Sequence, residues 1–143
     1  MDPRPTVLLL NFNADEREMY REGLESGGFN VIVALDAKHA LSLAHAHHPE
    51  ALVTRILQPR SPFDGLELTR RIKQDAELKT TRVIITSSLQ EIGYAQAASA
   101  AGCDDNLFLP SLPEEVADAV WRAITHQPHP AEEEIQVERL GDL

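Results

Sequence analysis

Five times in succession a short apolar run is followed by a segment with hydrophobic residues at helical spacing, and this alternation restricts the chain to very few architectures. Thr6 to Leu10 is a continuous apolar run, after which Asp15 to Glu25 carries Met19, Tyr20 and Leu24 on one helical face and stops at Gly27-Gly28. Asn30 to Leu35 is a second, β-branched run, and Asp36 can cap a helix through Leu41, Leu43 and Ala44 to Pro49. Ala51 to Ile56 reads as strand three, Gly65 to Ala76 as a helix bearing Leu66, Leu68 and Ile72, and Arg82 to Ser87 as strand four. Gln90 to Ala101 is an alanine-rich helix ended by Gly102, Asp104 to Leu109 is strand five, and a last helix opens at Leu112-Pro113 with Val116, Val120 and Ile124 facing inward. Strand and helix in strict alternation predict an α/β domain: a parallel sheet with helices on both faces, in three layers.

The feature of most consequence within this frame is Arg55, the C-terminal residue of strand three. The carboxyl ends of the strands in an open parallel sheet form the crevice where ligands and chemistry sit. A guanidinium there stays protonated, so it can neither accept a phosphoryl group nor help to hold a divalent metal.

Composition narrows the function classes. The net charge of -10 argues against direct nucleic-acid binding, which needs Lys and Arg on phosphates. No apolar run is long enough for a membrane span, and Met1 to Pro5 carries no secretory pattern, so a cytoplasmic location is expected. Cys103 is the only cysteine, which excludes an internal disulfide, and it is read as a small buried thiol. Residues 1–126 are expected to form one domain, and 127–143, with Pro128, Pro130 and the run Glu132-Glu133-Glu134, a tail or linker.

Three stretches carry a family resemblance: Asp64-Gly65-Leu66-Glu67-Leu68, Val83-Ile84-Ile85-Thr86-Ser87-Ser88, and Ala101-Gly102-Cys103-Asp104-Asp105 with Pro110 after strand five. With them the chain resembles the receiver domain of bacterial two-component response regulators, from Thr6 to about Thr125. The resemblance implies a flavodoxin-like, doubly wound sheet of order 2-1-3-4-5, with the first and fifth helices on one face and the second to fourth on the other. It also implies a pocket in which an acidic pair binds magnesium, an aspartate accepts phosphate, a Ser or Thr ends strand four, and a lysine precedes the proline. Here those positions are held by Asn11 and Phe12, by Arg55, by Ser87 and by Leu109, and the switch-aromatic position on strand five by Asn106. Only Ser87 keeps its type. The segment between Pro59 and Asp64 reads as about two residues longer than the common form, with a role left open.

Counting Asn11, Phe12, Arg55 and Leu109 gives the pocket a charge of about +1, which would repel magnesium; no metal, cofactor or catalytic residue is expected. Arg55 is read as an ion pair with an acidic neighbour, Asp64 or Asp15, the alternative being an anion site shared with Ser87. Asp15 and Glu16 are read as serving the amino terminus of the first helix. His39, His45, His47 and His48 crowd the second helix, and the spacing of His45 and His48 could hold a metal; with no carboxylate pair in view they are read as solvent-facing. Trp121, off the apolar stripe of the last helix, has two open readings, an interface anchor or a local cover; Tyr94 and Arg122 are its companions as interface candidates. The functional expectation is a degenerate receiver, a non-enzymatic module that works by protein–protein contact without aspartyl phosphorylation. Its partner would be a histidine kinase, another regulator or a homodimer mate. The alternatives are the regulatory half of a longer transcription regulator, and a receiver phosphorylated at an unconventional site.

Overall fold

The structure, a computed structural model, describes residues 3–125. The elements follow as β1 (Thr6–Leu10), α1 (Ala14–Ser26), β2 (Asn30–Val33), α2 (Ala37–His47), β3 (Ala51–Arg55), α3 (Gly65–Gln74), β4 (Arg82–Ser87), a 3-10 segment (Leu89–Tyr94), α4 (Ala95–Ala101), β5 (Asp105–Phe108) and α5 (Pro113–Ile124). All strand pairs are parallel and the sheet order is β2-β1-β3-β4-β5, as the resemblance implied. The order reverses between β1 and β3, which places a crevice above their carboxyl ends.

Period-two alternation along each strand divides the core between the two faces. Leu8, Leu10, Leu52, Val83 and Ile85 point to the side covered by α2, α3 and α4, where Ala44, Leu68, Ile72 and Ala98 meet them. Val7, Leu9, Val53 and Ile84 point to the other side, against Tyr20 and Leu24 of α1 and Val116 and Val120 of α5. Asp36 caps α2 as expected, accepting from His39 N, and Asn13 and Asp64 cap α1 and α3 in the same way, accepting from Glu16 N and Glu67 N. Gly102 ends α4 at φ 97°.

Beyond one-residue shifts at element ends, three differences from the sequence reading stand out. Strand two ends at Val33 rather than Leu35, which leaves Leu35 86% exposed. Helix three ends at Gln74, because Asp75 turns extended and caps its own loop. The expected helix Gln90 to Ala101 is a tighter 3-10 segment followed by a short α4, and Ser88 and Glu91 bond reciprocally at its start. The tail expected over 127–143 lies outside the described residues.

Two contacts fix the β3–α3 connection beneath the crevice. Gly65 N donates to Ile56 O, and Gln58 Nε2 reaches both Leu10 O and Arg55 O. A Cβ on Gly65 would lie 2.1 Å from the Arg55 carbonyl oxygen, so only glycine fits without displacing backbone. Gly65→Ala should therefore destabilise the protein by about 1–3 kcal/mol through overpacking. Urea unfolding checks this: the midpoint should fall with the slope unchanged, and an unchanged midpoint would show that the start of α3 yields freely.

Candidate functional site

At the carboxyl edge of the sheet, Arg55 extends from β3 into a gap between α1 and the segment after β4. Its partners differ from those the sequence suggested. The guanidinium binds Glu16 (Nη1 to Oε1, 3.0 Å) and Glu91 (Nη2 to Oε1, 3.0 Å), and neither Asp15 nor Asp64. Side-chain exposure is 11% for Arg55, 19% for Glu16 and 11% for Glu91, so the group is largely withdrawn from water.

Local structure explains the correction. Asn13 sets the register of α1, and successive residues on a helix point about 100° apart, so Glu16 faces the sheet and Asp15 faces solvent. The Glu16 carboxylate is held from a second side by Asn11 Nδ2 at 2.7 Å. Asp64 is occupied as the cap of α3. Glu91 was not singled out in the sequence, although Ser88-Leu89-Gln90-Glu91 has the spacing of a capping box, the signal that could have found it. Its Oε1 accepts from Ser88 N at 2.8 Å as well as from Arg55, and it is only 8% exposed. Burial raises the Glu91 carboxyl, but the bonds from Ser88 and Arg55 outweigh it and hold the group below the ordinary carboxylate value.

The charge count from the sequence is corrected with the partners: one guanidinium and two carboxylates give about -1 rather than +1. Both carboxylates are engaged by the same fixed cation, in a geometry that neutralises most of the local field. Phe12 adds a cation–π contact, with the Arg55 carbon 5.3 Å from its ring centroid.

The other family positions arrange themselves around this group. Asn11 is buried; besides holding Glu16 it accepts from Asn13 N, and its backbone oxygen accepts from Arg17 Nη1. Ser87, 1% exposed, donates to Asn106 Oδ1 at 3.2 Å, so the strand-four hydroxyl and the residue at the switch position bind each other. Leu109 packs with the α1–α5 half of the core and lines, with Tyr20, Pro110 and Ser111, a cavity that Arg55 and Glu16 also line. Tyr20 donates to Ser111 O, and burial pushes its phenol up to about 12. The Thr86 hydroxyl, beside Arg55 in the sheet register, has no hydrogen-bond partner among the described residues.

Trp121 is half-buried: its ring stacks on Phe29 at 4.5 Å and its Nε1 donates to Gly27 O at 2.8 Å, which is the local-cover arrangement. Tyr94 is 44% exposed, Leu89 and Ile92 of the same 3-10 segment are exposed too, and Phe108 ends β5 and Leu112 precedes α5; these make up five of the eight exposed large apolar side chains among the described residues. Arg122 is half-buried on α5. Cys103 is half-buried, and burial pushes its thiol up to about 11, so it is a poor nucleophile. Of the histidines, His45 does meet carboxylates, contrary to the sequence reading: Asp75 and Glu77 each lie 3.2 Å from a ring nitrogen. His48 takes the left-handed C-cap of α2 and is not among them.

Comparison with known proteins gives four findings of one kind. The sequence model of the response regulator receiver domain matches residues 7–121. The chain is similar to the polar-differentiation response regulator DivK of Brucella ovis, 28% identical over 105 residues that cover 73% of this chain and 84% of that protein. It is also similar to the response regulator MprA of Mycobacterium bovis, 28% identical over 138 residues, covering 96% of this chain and 58% of that one. The REC domain of AraT, a response regulator from Geobacillus stearothermophilus, superposes with a TM-score of 0.72 at 26% identity, covering 94% of this chain and 98% of the other.

The ion group yields a prediction with a defined pH sign. Arg55→Ala strands Glu16 and Glu91 near each other and should destabilise the fold by about 1–4 kcal/mol at neutral pH, between the values for exposed and buried pairs. Because the folded Glu91 carboxyl titrates below its ordinary 4.5, its contribution is fully present above that value and is lost as pH falls through the lower, folded one. The deficit of Arg55→Ala relative to wild type should therefore shrink as pH drops below 4.5. Urea titrations of both proteins across that range test it, and a constant deficit would mean that Glu91 owes its ionisation to Ser88 alone.

Proposed function

The chain belongs to the response regulator receiver domain family, signalling modules that contact histidine kinases and other proteins, and from that premise we propose that it is a pseudo-receiver acting by protein–protein contact without aspartyl phosphorylation. The observation that carries this reading is Arg55 at the phosphoacceptor position, held by Glu16 and Glu91. Phosphoryl transfer to a receiver requires a carboxylate nucleophile, a metal held by oxygen ligands and a cation for the developing charge. Arg55 supplies no nucleophile, Asn11 and Phe12 supply no acidic pair, and Leu109 supplies no cation.

A switch needs two states that a signal stabilises differently. The fixed guanidinium joins α1 to the segment after β4, and Ser87 joins β4 to Asn106 on β5, so the elements that would rearrange are tied in one arrangement. The module is thereby read as non-enzymatic and cytoplasmic, its partner a histidine kinase, another regulator or a second copy. Tyr94, with its exposed apolar neighbours, is the interface candidate best placed to make such a contact.

Acetyl phosphate with magnesium, followed by intact mass spectrometry, tests the proposal: the wild-type chain should gain no phosphate. Arg55→Asp should gain none either and should fold less stably, since it sets a third carboxylate beside Glu16 and Glu91 with no cation among them. Stoichiometric uptake by the wild-type protein would overturn the reading.

A further inference from the structure

A cavity of about 510 Å³ opens over the point where the strand order reverses, and the pocket described above does not account for it. Its walls come from the carboxyl ends of three adjacent strands: Phe12 and Arg17 after β1, Leu35 and Asp36 after β2, and the 58–61 turn after β3. This is the crevice that open parallel sheets use for ligands, and its volume falls within the range of small-molecule sites.

The lining is unusual for this chain in three respects. It is cationic in a protein of net charge -10, with Arg17 and Arg60 set against the single carboxylate of Asp36, which already accepts from His39 N. Neither guanidinium forms an ion pair with a described residue; Arg17 donates to the Asn11 carbonyl, and the Arg60 side chain has no hydrogen-bond partner among the described residues. Arg21, Arg55, Lys73 and Arg82 pair with acids, whereas Arg71 lies over the Phe63 ring. The lining is also apolar where water should wet it: Leu35 is 86% exposed and Phe12 46%. Finally, Arg60 sits at φ 67°, a left-handed conformation costly for a residue with a Cβ, in the segment that reads as longer than its family's common form. A glycine would serve the turn without strain, so the guanidinium is kept at a conformational cost.

The geometry points to a binding site for a small anion that joins a planar ring to a phosphate, the chemistry of a mononucleotide. The ring lies against Phe12 and Leu35, and the phosphate between Arg17 and Arg60. An aromatic ring with an adjoining aliphatic side chain suits a flat, weakly polar group, and unpaired guanidiniums suit phosphate oxygens. Phe12 also carries the Arg55 guanidinium at 5.3 Å, so an occupant of this cavity touches a residue of the ion group directly. The inference is independent of whether the chain is phosphorylated.

Calorimetric titration of the full chain with AMP, GMP and CMP in turn, and with adenosine and inorganic phosphate, tests it. At least one mononucleotide should bind saturably, about tenfold or more tighter than either adenosine or phosphate alone, because only it uses both halves of the site. Arg60→Gly removes the guanidinium while accepting the turn, so it should keep or raise the melting temperature and weaken that nucleotide about tenfold. Phe12→Ala should weaken the nucleotide and leave inorganic phosphate unchanged. No saturable heat from any of the three nucleotides, affinity unaltered in Arg60→Gly, or a nucleotide no tighter than phosphate would each overturn the assignment.

Discussion

A guanidinium that cannot lose its proton, placed at a buried strand end, has to be answered by carboxylates, and the upper half of the molecule is arranged around that requirement. Glu16 answers from α1 and Glu91 from the 3-10 segment, and each is itself held by a third group, Asn11 and Ser88 respectively. The consequence reaches secondary structure: Glu91 can bond both Ser88 N and Arg55 because the chain after β4 turns as a tight 3-10 segment. The cation on β3 is thereby tied to a segment 36 residues away in sequence but adjacent in space, just ahead of the short α4.

The two edges of the sheet mirror each other in charge. At the amino edge a single carboxylate, Asp104, accepts from Lys73 Nζ, Arg82 Nη1 and Val83 N, drawing together the end of α3, the start of β4 and the approach to β5. At the carboxyl edge a single cation gathers two carboxylates. In both places one central ion keeps two like charges apart, so each hub matters more than the sum of its pairs.

Much of the fold was legible in the sequence because its signals are local and periodic. Apolar runs, the cap Asp36 and the stop at Gly102 each act within a few residues, and sheet order came with the family resemblance. Leu35 shows the limit: an apolar residue extending a β-branched run looks like strand, and only the ending of the ladder at Val33 leaves it in solvent. The site was legible in its positions and not in its pairings. Asp15 and Glu16 are neighbours in sequence but point different ways on α1, and Glu91 was not singled out within the helix expected from Gln90 to Ala101. Likewise Asp75 and Glu77 reach His45 across a separation of about thirty residues, which spacing on α2 alone could not reveal.

The ion group around Arg55 also constrains how such a chain can change over generations. With Glu16 and Glu91 facing the same point, returning Arg55 to an acid would bring three carboxylates together, while changing either glutamate first would leave a buried cation short of a counter-charge. Each single step away from the present combination is therefore uphill, although a simultaneous replacement of all three need not be. The identity of residue 55 is thus fixed by its two neighbours as much as by its own position in the sheet.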